Sequence, residues 1–183
     1  GCTDSTACNF DPAATLDDGT CYFAPDGGIC DCFTDLSITE SLAGGVAGSA
    51  VSFDGTGEVA GLDIVLDYTS SAGSWPADLL VVITAPSGEC IEFGGFSAAV
   101  SGGCTDLGGY TLWPADWAVD ASGTYTASLD LSAAGLSGDG SWSVQLVNGY
   151  SAGGTVTYAA DITVQDVCIG GIIDGCTDPA SCN

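Results

Sequence analysis

The sequence contains no lysine, no arginine, no histidine and no methionine in 183 residues, against 24 Asp and Glu. Each absence removes a class of chemistry. A Ser-His-Asp or Cys-His nucleophile needs an imidazole and a Ser-Lys dyad needs an amine, so neither can be assembled. A histidine zinc centre is excluded, and nucleic acid meets no side chain that neutralises phosphate. An anionic membrane surface repels the chain for the same reason, and no apolar run reaches the length of a membrane span. With a formal net charge of −24 and no side-chain cation, each carboxylate is expected to face other carboxylates, water, backbone donors or bound metal. Such a chain repels itself and is easiest to keep compact at high ionic strength or with divalent cations. Without an initiator methionine, a fragment or a processed product is expected.

Yet 46% of the residues are hydrophobic and the mean hydropathy is +0.37, whereas disordered acidic chains are poor in apolar residues. The length fits one domain with a modest flanking segment. Ten cysteines in so short a chain point to an oxidising compartment, hence an extracellular or cell-surface location. The close pair Cys30-Asp31-Cys32 lacks the two-residue gap of zinc knuckles and redox motifs, so disulfides are expected rather than metal thiolates.

The chain begins again at its end. Gly1-Cys2-Thr3-Asp4-Ser5-Thr6-Ala7-Cys8-Asn9 and Gly175-Cys176-Thr177-Asp178-Pro179-Ala180-Ser181-Cys182-Asn183 agree at six of nine positions, cysteines in register. Self-similarity at one fixed spacing, here 174 residues from Gly1 to Gly175, is the mark of a tandem array. The period is too long for a solenoid, so folded beads on a string are expected. One period holds Cys2, Cys8, Cys21, Cys30, Cys32, Cys90, Cys104 and Cys168, an even set that can close four bridges. Cys176 and Cys182 belong to the following copy. Cys90 and Cys104 are expected to pair; the connectivity of the others stays open.

The stretch GCTDSTACNFDPAATLDDGTC, residues 1–21, resembles the cysteine-aspartate repeats of very large secreted bacterial surface proteins. That resemblance implies an extracellular location and tandem architecture, and no catalytic activity.

From about Thr34 to Val167 the pattern is alternation with a period of two. Leu62, Ile64, Leu66 and Tyr68 alternate with Asp63, Val65 and Asp67; Val156, Tyr158, Ala160, Ile162 and Val164 form the longest run. Leu79–Thr84 is nearly continuous in apolar character and suits a central strand. Pairs such as Ser87-Gly88, Gly94-Gly95 and Asp139-Gly140 supply turns. Helix signals reduce to one turn at Asp11-Pro12-Ala13-Ala14, where Asp caps and Pro takes the first helical position. The pattern predicts an all-β chain: an antiparallel β-sandwich over 34–167, with Trp142, Val144, Leu146, Tyr158, Ile162, Leu66 and Val82 in the core. A small, disulfide-rich, loop-dominated segment over 1–33 precedes it, and 168–183 is linker and the start of the next repeat. The run from Ala77-Asp78-Leu79 to Ser87-Gly88, then Gly140-Ser141-Trp142 and Gly153-Gly154, is similar to the P domain of proprotein convertases. This implies a jelly roll that accompanies a protease without being catalytic itself. The His that often precedes the family's Asp-Leu element is missing here.

Asp4, Asn9, Asp11, Asp17 and Asp18 offer hard oxygen ligands close together near Cys8 and Cys21, and without a neutralising base they point to Ca2+. The competing reading makes Asp11 a cap and Asp18-Gly19 a tight turn. Asp4-Ser5-Thr6 fits a bacterial O-glycosylation pattern at Ser5. Asp63 with Asp67, or Asp116 with Asp120, has the type of a hydrolytic carboxylate pair, but such spacing on a strand face is read as solvated surface. Trp113 and Trp117, around Pro114, are the tryptophans expected to be exposed as a ligand platform. The leading expectation is a non-enzymatic structural repeat of an extracellular fibre or adhesive surface protein. Its partners are copies of itself, docked head to tail, with neither nucleic-acid binding nor membrane insertion. The alternative is a carbohydrate- or partner-binding module of a secreted multidomain protein.

Overall fold

The computed structural model describes residues 3–4, 15–16, 33–69, 73–96 and 103–169. The chain divides into two units, Gly1–Cys32 with Ile172–Asn183 and Phe33–Gly171. The second holds eight strands: β1 Phe33–Leu42, β2 Val51–Thr69, β3 Leu79–Thr84, β4 Cys90–Gly94, β5 Thr105–Asp106, β6 Gly123–Asp130, β7 Gly140–Asn148 and β8 Val156–Ile169. Among the described residues its remaining regular structure is four single 3-10 turns, Pro76–Asp78, Tyr110–Leu112, Ala115–Trp117 and Ser132–Ala134. Among the described residues no helix is long and apolar enough to cross a membrane.

Alternation in the sequence becomes alternation in burial. Val156, Tyr158, Ala160, Ile162 and Val164 of β8 are buried, and so are Leu62, Ile64, Leu66 and Tyr68 of β2. Their neighbours Asp161, Val65 and Asp67 are exposed. One contiguous cluster joins these residues to Leu79, Val81, Ile83, Phe93, Trp142, Val144 and Leu146. β3 departs from alternation because both of its faces are covered. Leu79, Val81 and Ile83 face the main core, while Leu80 and Val82 pack with Val147 against Cys90 and Cys104 on the other side. Val82 is therefore buried as expected, but under the disulfide rather than between the layers.

The hydrogen-bonded path runs β1-β8-β2-β7-β3-β4-β5, with β6 also on β2. The pairs are antiparallel except β4 with β5. The 19-residue β2 is what makes two layers of this single path. Its first part, Val51–Gly55, pairs with Gly140–Val144 of β7; its second, Gly61–Tyr68, pairs with β6 and β8. Between the two, the register on β8 slips from Gly57↔Val167 to Gly61↔Gln165. The connection from β6 to β7 follows the same corner: Leu131 N–H bonds Ala60 O, Val59 N–H bonds Leu136 O and Gly138 N–H bonds Gly57 O. A bulge of this kind lets strands pass from one layer to the other. The result is a jelly-roll-like antiparallel sandwich.

The corner has a steric signature. Gly57 has φ +118°, and a Cβ there would lie 2.2 Å from the Asp166 carbonyl oxygen. On β8, next to Val167, the register partner of Gly57, Asp166 is a non-glycine residue with positive φ, 66°. Gly57→Ala should therefore destabilise the unit by about 3 kcal/mol, read as a lower urea midpoint with an unchanged m-value.

The expected bridge between Cys90 and Cys104 is formed, with sequence separation 14. Closing a loop of this size contributes about 3 kcal/mol in the chain-entropy account. The double variant Cys90→Ser, Cys104→Ser should lose about that much in chemical denaturation.

Candidate functional site

The outer face of the layer β1-β8-β2-β6 is a lattice of carboxylates held by hydroxyls. Thr163 donates to Asp35 (2.6 Å), Ser37 to Asp161 (2.6 Å), Thr124 to Asp67 (2.6 Å) and Ser128 to Asp63 (2.5 Å). Gln165 Nε2 adds a bond to the second oxygen of Asp63, at 2.8 Å. Cross-strand neighbours on one sheet face stand close enough for such pairs, so strand register alone places a donor beside each of these acids. An open groove of about 460 Å³ crosses this face, lined by Asp63, Val65, Pro114, Thr126, Ser128, Asp161 and Thr163.

Asp63 and Asp67 share that face but lie four residues apart on one strand, about 13 Å along its axis. That exceeds the separation of about 5–9.5 Å at which two carboxylates act on one glycosidic bond. Asp116 stands in the 3-10 turn Ala115–Trp117, not on the strand face expected of it.

The expected tryptophan platform is corrected by burial. Trp113 is 3% exposed and Trp117 fully buried. Their rings stack at 4.6 Å, and Trp113 Nε1 donates to Leu79 O at 2.9 Å. Phe93 and Tyr125 pack against them. The two stacked rings thus point inward beside β6, where Trp117 meets the Tyr125 ring, rather than splaying to solvent. Of the predicted calcium ligands, Asp4 is exposed, and Asn9, Asp11, Asp17 and Asp18 lie outside the described residues. So do Ser5, the Asp11–Ala14 turn, and Cys2, Cys8, Cys21, Cys30, Cys32, Cys176 and Cys182. Cys168 falls within β8, paired through its backbone with Thr56. Among the described residues no group of three or more Asp, Glu or Cys side chains is placed to hold a metal ion.

The feature that sequence reasoning missed lies at the start of β3. Asp78, last residue of the turn Pro76–Asp78, is 3% exposed. Its Oδ2 accepts a hydrogen bond from the Trp75 amide at 2.7 Å, and its own carbonyl accepts from Gly149 N–H at 2.8 Å. Close by, Tyr68 OH donates to Ser74 O at 2.6 Å. The buried Tyr158 hydroxyl and Ser74 Oγ have no hydrogen-bond partner among the described residues. Burial pushes the Asp78 carboxyl above its ordinary range, against the opposing pull of the Trp75 amide. Burial, then the nearby Asp78 and Tyr68, pushes the Tyr158 hydroxyl upward as well. Asp78 also lines a pocket of about 100 Å³ with Gly73, Trp75, Phe96 and Tyr150. The Asp-Leu pair was visible in the sequence, but its burial depends on loops that no local pattern reveals.

No protein-family profile matches the chain, and no curated protein matches it. Solved structures to which it is similar include that of the infectious bursal disease virus Gx strain, at 17% identity and TM-score 0.36. Another is the VP2 subviral particle of that virus, at 16% identity and TM-score 0.37. Each comparison covers 90% of this chain, which spans 38% and 39% of the respective viral chains.

The raised Asp78 carboxyl gives a signed prediction. A carboxyl that binds its proton more tightly in the folded state favours folding when protonated. That contribution is complete below the unfolded value of 3.8 and is lost as pH rises through the folded value. Asp78→Asn keeps the oxygen that accepts from the Trp75 amide and removes the charge. Its melting temperature should exceed that of the parent at neutral pH, and the gap should close as the pH falls below 3.8.

Proposed function

We propose that this chain is a structural repeat unit of an extracellular fibre or adhesive surface protein. The observation that carries the reading is the cysteine-aspartate motif. It recurs at Gly1–Asn9 and Gly175–Asn183, on either side of the β-sandwich unit. Matching motifs at the two positions, with their cysteines in register, allow every junction between successive units to be made alike. A contact between different surfaces of successive units propagates as a filament unless its rotation closes a ring. The resemblance of 1–21 to bacterial surface-protein repeats supports the extracellular setting. The cysteine content supports it too, because disulfides persist in oxidising compartments. The lack of Lys, Arg and His leaves nucleophile-base pairs of the common kinds without a base, in keeping with a non-enzymatic role.

Acidic units repel each other, so a junction needs a neutralising agent. Ca2+ held by Asp4, Asn9, Asp11, Asp17 and Asp18 fills that part in the proposal. Trp113 and Trp117 no longer speak for the alternative of a sugar-binding module, since both are buried.

Electron microscopy of the native product, with mass analysis under reducing and non-reducing conditions, tests the reading. Particles with a fixed axial repeat, shortened or dispersed by chelator, are the expected outcome. Monodisperse single units at high protein concentration, unchanged by calcium or chelator, would overturn it.

A further inference from the structure

The pocket at the start of β3 has the chemistry of a receptor for an organic cation. Asp78 brings a carboxylate that is 3% exposed, and no side chain in the sequence can neutralise it. The other lining residues are Gly73 and three aromatics, Trp75, Phe96 and Tyr150. Phe96 and Tyr150 meet edge to face, with ring planes at 90° and centroids 5.7 Å apart, so two walls of the pocket stand at right angles. Phe96 is 52% exposed, an apolar surface available for a ligand to cover. The Tyr158 hydroxyl and Ser74 Oγ leave further unmet hydrogen-bonding capacity in the same region.

From this geometry we infer that the pocket binds an alkylammonium group, primary or methylated, supplied by another molecule. Three considerations select this ligand. Aromatic ring faces attract a cation through the ring quadrupole, and a cage of rings with one acid is the arrangement that recognises ammonium groups. A hard ion such as Ca2+ requires six to eight oxygens, and this lining offers one carboxylate. The volume of about 100 Å³ takes an ammonium head and its first methyl or methylene groups, but not a sugar ring with its hydroxyls. No side chain of a second copy of this chain can be the donor, because the sequence contains no lysine, arginine or histidine. The ammonium group therefore comes from outside the side chains of these 183 residues, and this inference stands whether or not units assemble into a fibre. It also gives a role to a charge whose burial works against the free protein: a bound cation would offset the desolvation of Asp78.

The test is titration of the full 183-residue chain with n-butylammonium and with tetramethylammonium chloride at constant ionic strength, against sodium chloride and neutral neopentyl alcohol. Binding is followed by calorimetry and by tryptophan fluorescence. Trp75 is half-buried at the pocket, whereas Trp113, Trp117 and Trp142 are buried. Saturable binding of either ammonium, absent with sodium and with the alcohol, is the expected result. Preference for n-butylammonium identifies a lysine-type source, and preference for tetramethylammonium a quaternary amine. Asp78→Asn should weaken binding at least tenfold, and Phe96→Leu, which keeps the apolar bulk and loses the ring, about fivefold. Equal binding of the neutral alcohol, full affinity in Asp78→Asn with its fold intact, or no binding of either ammonium would overturn the inference. Phe96→Leu keeps the test open should Asp78→Asn alter the fold.

Discussion

The corner at Gly57–Gly61 is where one hydrogen-bonded ribbon becomes two facing layers. β2 on one side, and β6 with its connection to β7 on the other, must turn together, because each supplies the other's backbone partners through the bend. Without the turn, Leu62, Ile64 and Leu66 would have no opposing layer to pack against, and Trp142, Val144 and Leu146 would be left with water. Burial of these side chains is worth about 1.5–3 kcal/mol each, and the bend is the condition for all of it. Trp142 ties itself to the same place, donating from Nε1 to Gly55 O at 3.2 Å.

Charge is managed by hydroxyls rather than by counter-charges. Asp35, Asp63, Asp67 and Asp161 each accept from a serine, threonine or glutamine on a neighbouring strand. Asp130 does the same locally with the Ser132 hydroxyl and amide, which hold its carboxyl below the ordinary range. A hydroxyl satisfies an acid's lone pairs without cancelling its charge, so the surface stays uniformly negative while each bond remains short. Asp78 differs because it is buried and its one described side-chain bond comes from a backbone amide.

Much of the sandwich was legible because it is built from period-two alternation, which sets a strand's inner face whatever its neighbours are. Leu66, Tyr158 and Ile162 were placed in the core by that rule alone, and Leu79–Thr84 as a central strand by its unbroken apolar run. The corner was not legible. Gly-containing stretches read as turns between strands, yet Gly55, Gly57 and Gly61 lie inside one strand and give it a bend. Trp113 and Trp117 were misread because a Pro-centred loop looks exposed, and only tertiary packing shows the loop capping β6. The pocket escaped for a similar reason: Gly73, Asp78, Phe96 and Tyr150 come from separate parts of the chain, and no spacing rule unites them.

β1 and β8 are antiparallel neighbours, with Phe33 opposite Gln165, so the chain enters and leaves the sandwich at the same end. Tension applied along the chain would therefore not load the β1–β8 ladder in shear. It would peel the pair open from Phe33, one rung after another, the mode in which hydrogen bonds break singly rather than all at once. A covalent clasp across that end would divert the force before the first rung opened. Resistance of this pair to such a pull is thus set at its first rungs, from Phe33↔Gln165 onward, rather than in the core.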